Sequence, residues 1–257
     1  MGWQGSTDEG LMSRRWMLQA AIATGNTLAA TSTAGSGSQD AGDPSDPSVA
    51  TADDWIWLGN RSLRVGLLQS SGGAIGWLGT PASGQNLINH FDRGRLVQQS
   101  WYGREDGSDW NGRPWRWNPV QGGDWKGKSA RITARQTSET TAFIRTQPLH
   151  WATGTPVPTA AMEQTLKLDR DILHIRFRFH YSGDIAHPPR HQELPAVFVN
   201  PRLRHLVIAK GDSPWTGAKL TRSQPGWPNE YLELVEPWAA WVDDTDWGLG
   251  CCVPRIR

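Results

Sequence analysis

Cysteine is nearly absent from this chain. Its 257 residues include two, Cys251 and Cys252, and they are adjacent. Neighbouring Cα atoms lie too close for ordinary disulfide geometry. This excludes a disulfide framework, and no metal-type cysteine spacing exists. The fold must rest on its apolar core, which a chain of this size can build. Excess charge is missing too: 26 basic residues face 25 acidic ones, a formal net charge of +1. Nothing in that balance calls for nucleic acid or an acidic membrane surface. Beyond residue 54 there is no stretch with a 3.6-residue apolar period, and there is no internal repeat. Lysine is scarce, whereas glycine (28) and tryptophan (16) are abundant.

Short strands fill the space that helices leave. Leu63, Val65 and Leu67 alternate with Ser62, Arg64 and Gly66, and Ala74 to Leu78 follows a Ser-Ser-Gly-Gly turn, so the pair reads as a hairpin. Residues 132–136 and 141–146 form a second pair, and 162–168 and 172–181 a third. In the last of these, Leu173, Ile175, Phe177, Phe179 and Tyr181 point one way, and His174, Arg176, Arg178 and His180 the other. That basic side reads as a solvated sheet face or a platform for acidic sugars. Further strands are predicted over 194–199, 203–209, 231–235, 238–243 and 248–253. The class is all-β, a large antiparallel β-sandwich. The chain stops just after a strand, and one or two closing strands are expected beyond that point.

The N-terminus has the features of an export leader. Ser13-Arg14-Arg15-Trp16-Met17-Leu18 resembles a twin-arginine motif, and the apolar stretch behind it, broken by Gln19, Thr24, Gly25 and Asn26, is too short and polar for a membrane anchor. Small residues near Ala30 and Ala34 offer cleavage sites. The expected organisation is a leader over 1–34, a flexible Ser/Gly/Ala/Asp/Pro linker over 35–54 and a sandwich domain over 55–257. The mature protein is expected in the periplasm or outside the cell, free of the membrane.

The stretch from Asn86 to Trp125 is where chemistry concentrates. Trp101, Trp110, Trp115, Trp117 and Trp125 alternate there with amides, guanidinium groups and carboxylates. Sugar rings stack on indole faces, and their hydroxyls need fixed donors and acceptors. The expected sugar-binding set is His90, Arg95, Tyr102, Trp110, Trp115, Trp117, Asn118, Gln121, Asp124 and Arg190.

Several patterns together resemble the galactose-mutarotase-like β-supersandwich of carbohydrate-active proteins. They are Gly72-Gly73-Ala74-Ile75, the pair Met162–Leu168 and Ile172–Ile175, and Pro237–Asp243 followed by Trp247-Gly248-Leu249-Gly250. The resemblance covers roughly residues 55–257 and implies a supersandwich acting on carbohydrate. The catalytic His and Glu of the epimerases in that family have no residue-by-residue match here, so epimerisation is not implied.

Candidate catalytic groups follow from chemistry. Glycoside hydrolysis needs two carboxyl groups across the bond; lyase chemistry needs a base, often Tyr or His, and a group that neutralises the uronate carboxylate. Asp92, Asp109 and Glu193 are the candidate carboxylates, with His191 beside Glu193. Asp92 and Asp109 also suit turn bonding, as does Asp124, and Glu193 a strand-end ion pair. Tyr102 and Tyr181 are candidate lyase bases. His187 and His191 with Glu193 have the count for a metal site, but Pro188 and Pro189 between them prevent a helical i,i+4 face, and neither metal nor cofactor is expected. The partner is a polysaccharide or oligosaccharide. The sequence favours a hydrolase, then a lyase; a non-catalytic sugar binder and a structural envelope domain are the alternatives. Residues 90–95 and 190–193 both stand where polar chain enters an apolar strand, so both are expected to open onto one groove.

Overall fold

The computed structural model describes residues 51–217, 219–225 and 232–253, together with the backbone course of 12–23. Among the described residues eighteen strands run in chain order: β1 (Met12–Ala23), β2 (Trp55–Gly59), β3 (Arg64–Leu68), β4 (Ala74–Gly79), β5 (Val97–Ser100), β6 (Glu105–Trp110), β7 (Arg113–Arg116), β8 (Pro119–Val120), β9 (Arg131–Thr137), β10 (Thr141–Gln147), β11 (Leu149–His150), β12 (Ala160–Asp169), β13 (Ile172–Tyr181), β14 (Glu193–Val197), β15 (His205–Ala209), β16 (Leu220–Ser223), β17 (Trp238–Val242) and β18 (Gly248–Cys252). The protein is all-β, as the alternation predicts.

One sheet has nine strands in the order β16-β15-β17-β18-β1-β13-β12-β10-β9. The second runs β11-β8-β5-β4-β3-β2, with β14 paired to β5. The long antiparallel pair β12 and β13 anchors the first sheet: ten consecutive residues are in register, from Ala160 opposite Tyr181 to Asp169 opposite Ile172. Period-2 alternation fixes which side faces in. Leu166, Leu168, Leu173, Ile175 and Phe177 meet Leu58, Val65, Leu67, Ile75 and Val97 of the other sheet in one core. Full burial of a side chain such as Phe177 contributes about 1.5–3 kcal/mol.

Two features differ from the sequence reading. Leu232 to Val235 is not a strand; Tyr231 lies outside the described residues. The Trp-rich stretch carries strands β5 to β8, none of which the sequence reading assigned. β5 is Val97-Gln98-Gln99-Ser100, all buried despite three polar residues. The side-chain NH2 groups of Gln98 and Gln99 find acceptors inside. Gln99 Nε2 donates to the Glu163 carbonyl at 2.9 Å, and Gln121 Nε2 donates to Gln164 Oε1 at 3.2 Å, so an amide network ties the sheets together. Gly72, with φ at +58°, closes against Gln121: a Cβ there would meet the Gln121 carbonyl, and only glycine suits both demands.

Of the segment expected as a leader, Met12–Ala23 is strand β1, antiparallel to both β13 and β18. Its register sets Trp16, Leu18 and Ala20 opposite Phe177, Ile175 and Leu173. The rest of the expected leader, and the linker up to residue 50, lies outside the described residues. Cys251 and Cys252 are free thiols on β18.

Candidate functional site

The end of β5 and the start of β14 meet at one point. Glu193 is in register with Ser100, and a register shift separates that pair from Ala196 opposite Gln98, the place where Pro195 interrupts the ladder. Because, among the described residues, β14 pairs only with β5, this strand tolerates a proline. The preceding loop is stapled to the chain after β5. The Tyr102 N–H donates to Gln192 Oε1 at 2.6 Å, and Gln192 Nε2 donates to the Tyr102 carbonyl at 3.0 Å. A second staple lies nearby: His187 stacks on Trp117 with ring centroids 4.4 Å apart, and its Nδ1 accepts from the Arg104 N–H at 3.2 Å. Burial, and then the charge of Arg104, lower the pKa of His187.

A groove of about 660 Å³ opens here, lined by Tyr102, Arg116, Arg190, His191, Gln192 and Glu193. A neighbouring cavity of about 610 Å³ shares Arg190 and Gln192 and is walled by Trp101, Phe179 and Tyr181. Burial raises the pKa of Glu193 above its ordinary value, against the opposing pull of hydrogen bonds with Tyr102 and Ser100 and the charge of Arg95. Tyr102 is also raised, by burial first and then by the negative charge of Glu193. The phenol therefore keeps its proton, while the carboxyl beside it gains and loses one closer to neutrality. A carboxyl tuned this way is suited to proton transfer.

The predicted residues divide between this groove and other places. Glu193, His191, Tyr102 and Arg190 share the groove. Arg95 reaches it electrostatically, while its guanidinium lies 3.6 Å from Asp92. His90 and Asp92 line a different cavity, with Phe91, Asp124 and Trp125. The two strand junctions thus share a neighbourhood through Arg95 rather than one common groove. Between them sits Leu96, buried with φ at +78°, its N–H bonded to the Asn89 carbonyl and its carbonyl to the Phe198 N–H. A left-handed leucine is strained and needs such over-determination.

The remaining polar candidates spend their hydrogen bonds on the protein. Asp92 accepts from the N–H groups of Gly94 and Arg95. Asp109 accepts from the Gly112 N–H at the β6–β7 turn, and Asp124 from those of Lys126 and Lys128. Asn118 is buried, donating to Ser100 Oγ and the Trp101 carbonyl and accepting from Trp115 Nε1. Gln121 is deep in the amide network.

The tryptophans form a partly exposed aromatic line. Trp115 meets Tyr102 edge-on at 6.3 Å and Trp110 at 4.6 Å, and Trp110 meets Trp151 at 5.9 Å. Trp110 and Trp115 ride on the β6–β7 hairpin, which pairs with neither large sheet. Asp106 of that hairpin contacts His150 Nε2 at 2.8 Å. Burial works against ionisation of Asp106, but hydrogen bonds from Ser108 and His150 overcome it and hold the carboxyl below its ordinary value. Trp117 stands apart, against His187 and Tyr181.

Sequence reasoning missed Ser100, Arg116 and Gln192. Three polar residues in a row in β5 were the available signal for Ser100, and Arg116, between Trp115 and Trp117, lay inside the stretch already singled out. Among the described residues no group of three or more His, Cys, Asp or Glu side chains is placed to hold a metal. No protein-family model matches the chain, and the comparison with curated proteins gives no match.

Proposed function

We propose that this protein is an exported enzyme on acidic polysaccharide, cleaving it by β-elimination in the Tyr102–Glu193 groove of a supersandwich-like fold. The observation that carries the reading is that Tyr102 and Glu193 line one groove edged by Arg116 and Arg190. Glu193 is the one carboxylate among the residues lining that groove, whereas hydrolysis calls for two across the bond. Elimination needs a base, an acid and cations for the uronate carboxylate, and the groove offers each.

In this reading Arg116 and Arg190 bind the uronate carboxylate and stabilise the charge that develops when the adjacent carbon loses its proton. Glu193 takes that proton. Tyr102, still protonated, gives its own to the departing glycosidic oxygen, the C–O bond breaks, and a C=C bond forms. Glu193 then returns a proton to Tyr102, so both groups end as they began. The Trp115–Trp110 line offers stacking surface for neighbouring sugars.

The test is incubation with polygalacturonate, following unsaturated uronate absorbance and reducing ends together. Absorbance rising with reducing ends, and lost in Glu193→Gln, is the expected result. Reducing ends without absorbance would mean hydrolysis, and binding without either would mean a non-catalytic sugar binder. Export through the twin-arginine segment is proposed on the paired arginines. Arg14→Lys with Arg15→Lys should hold the precursor in the cytoplasm, and unchanged secretion would remove that proposal. Export would also require β1 to leave its place between β13 and β18.

A further inference from the structure

We propose that the outer face of the nine-stranded sheet, across β10, β12 and β13, is a second binding site that holds an acidic polysaccharide chain. It rests on the reading that the groove acts on such a polymer, and it adds a place where the polymer is gripped away from the reacting bond.

Leu173, Ile175, Phe177 and Phe179 are buried in the sandwich, so His174, Arg176, Arg178 and His180 occupy the opposite side of β13. Leu166 and Leu168 of β12 are likewise buried, which sends Glu163, Thr165 and Lys167 outward. Register then sets Lys167 opposite His174, Thr165 opposite Arg176 and Glu163 opposite Arg178. On the far side of β12, Arg145 of β10 is opposite Glu163. Between Ala161 and Lys167 this face carries four fixed cations, Arg145, Lys167, Arg176 and Arg178, against the single carboxylate Glu163. The surplus of three exceeds the +1 of the whole chain. Asp169, at the end of β12, is engaged by Arg170 at 3.6 Å.

Glu163 orders this face rather than neutralising it. It is 9 % exposed. Arg145 Nη1 lies 2.5 Å from Oε1, while Arg178 Nη1 and His180 Nε2 lie 3.5 and 3.1 Å from Oε2. Two guanidinium groups bring ten N–H donors, more than one carboxylate can accept, and Arg178 Nε is buried with no partner. Arg145 and Arg178 are thus held in place with donors to spare. That is the arrangement that recognises carboxylate or sulfate groups bidentately. Cations spread along three strands, with about 6.6 Å between Arg176 and Arg178 along β13, suit a polymer with repeated charges better than one small anion.

The test is affinity electrophoresis of the folded protein in native gels containing polygalacturonate, with neutral dextran as control and galacturonate monomer as competitor. The variant is Lys167→Glu with Arg176→Glu. Both positions are exposed and neither contacts Glu163, so the fold should persist, with far-UV circular dichroism as the check. Polygalacturonate should retard the wild type and dextran should not. The variant should bind at least tenfold more weakly, and Glu193→Gln should be retarded like wild type. Wild type that is not retarded, or a folded variant retarded equally, would overturn the proposal. Monomer that competes as well as polymer at equal uronate concentration would show a single-anion site and overturn it too. Should the wild type be retarded and the face variant not, while neither forms unsaturated product, the outer-face site stands and the elimination reading falls.

Discussion

Glu193 and Glu163 are two glutamates withdrawn from water on the same scaffold, and their surroundings push them in opposite directions. Burial opposes ionisation at both. At Glu163, His180 and then Arg145 more than offset it, and the carboxyl is held below its ordinary value. At Glu193 the opposing partners are Tyr102, Ser100 and the charge of Arg95, and burial wins. The difference lies in the neighbours: ion pairs at 2.5 to 3.5 Å on one side, neutral hydroxyls and a cation without direct contact on the other. Glu163 is placed as a permanent anion that organises cations. Glu193 is placed to exchange a proton.

The largest effect expected from breaking this comparison is on turnover. Glu193→Gln should reduce elimination by about 10²–10⁴-fold, the usual contribution of a positioned acid–base group, with binding little changed. Tyr102→Phe should produce a loss of similar size while leaving Glu193 in place. Either variant turning over like wild type would detach that residue from the chemistry.

Stability should respond with opposite signs. Glu163→Gln leaves Arg145, Arg178 and His180 without their anion. Removing one member of a fully buried pair costs about 3–5 kcal/mol. Arg145 and Arg178 are 43 % and 31 % exposed, so we expect about 1–3 kcal/mol after solvent screening. Glu193→Gln removes a group whose charged form burial disfavours, and it should stabilise by about 0.5–2 kcal/mol, as when function is traded for stability. Urea titrations of both variants measure the pair; shifts of the same sign would show that the two environments do not differ as described.

The pH dependence sharpens the same contrast. A folded pKa below the unfolded one means that Glu163 contributes stability above the unfolded value and loses it as pH falls through the folded one, so its contribution disappears on the acid side of its ordinary 4.5. Glu193 has the reverse sign: its contribution is fully present below 4.5 and is lost as pH rises through its raised value. The smallest expected effect is at the hairpin. Asp106→Asn should leave the fold intact and loosen β6–β7, costing about 1 kcal/mol, the net contribution of an ordinary hydrogen bond, read as faster amide exchange at the Trp110 and Trp115 backbone.

Much of the fold was legible because its signals are local. The alternation from Ile172 to Tyr181 predicts β13 residue for residue. β5 was not legible, because Gln98, Gln99 and Ser100 look like loop and are buried only because Gly122, Gln121 and Glu163 offer partners from elsewhere in the chain. The site divides in the same way. Glu193 stood out beside His191 at a strand entrance, and Tyr102 in the Trp-rich stretch. That Tyr102 and Glu193 line one groove depends on β5 pairing with β14, which sets Glu193 opposite Ser100, a pairing of distant segments that no local pattern carries. Asp109 and Asp124 illustrate the converse: their residue type suggested chemistry on a ligand, but the turns they stand in direct backbone N–H groups to their Oδ1 atoms.

The most direct test of a proton-exchanging Glu193 is the pH profile of kcat/KM for elimination of polygalacturonate, measured from about pH 4 to pH 8 in the range where His and Glu titrate. The account predicts an acid limb with an apparent pKa above the ordinary glutamate value of 4.5, absent from the residual activity of Glu193→Gln. A limb at or below 4.5, or one that persists unchanged in the variant, would contradict it.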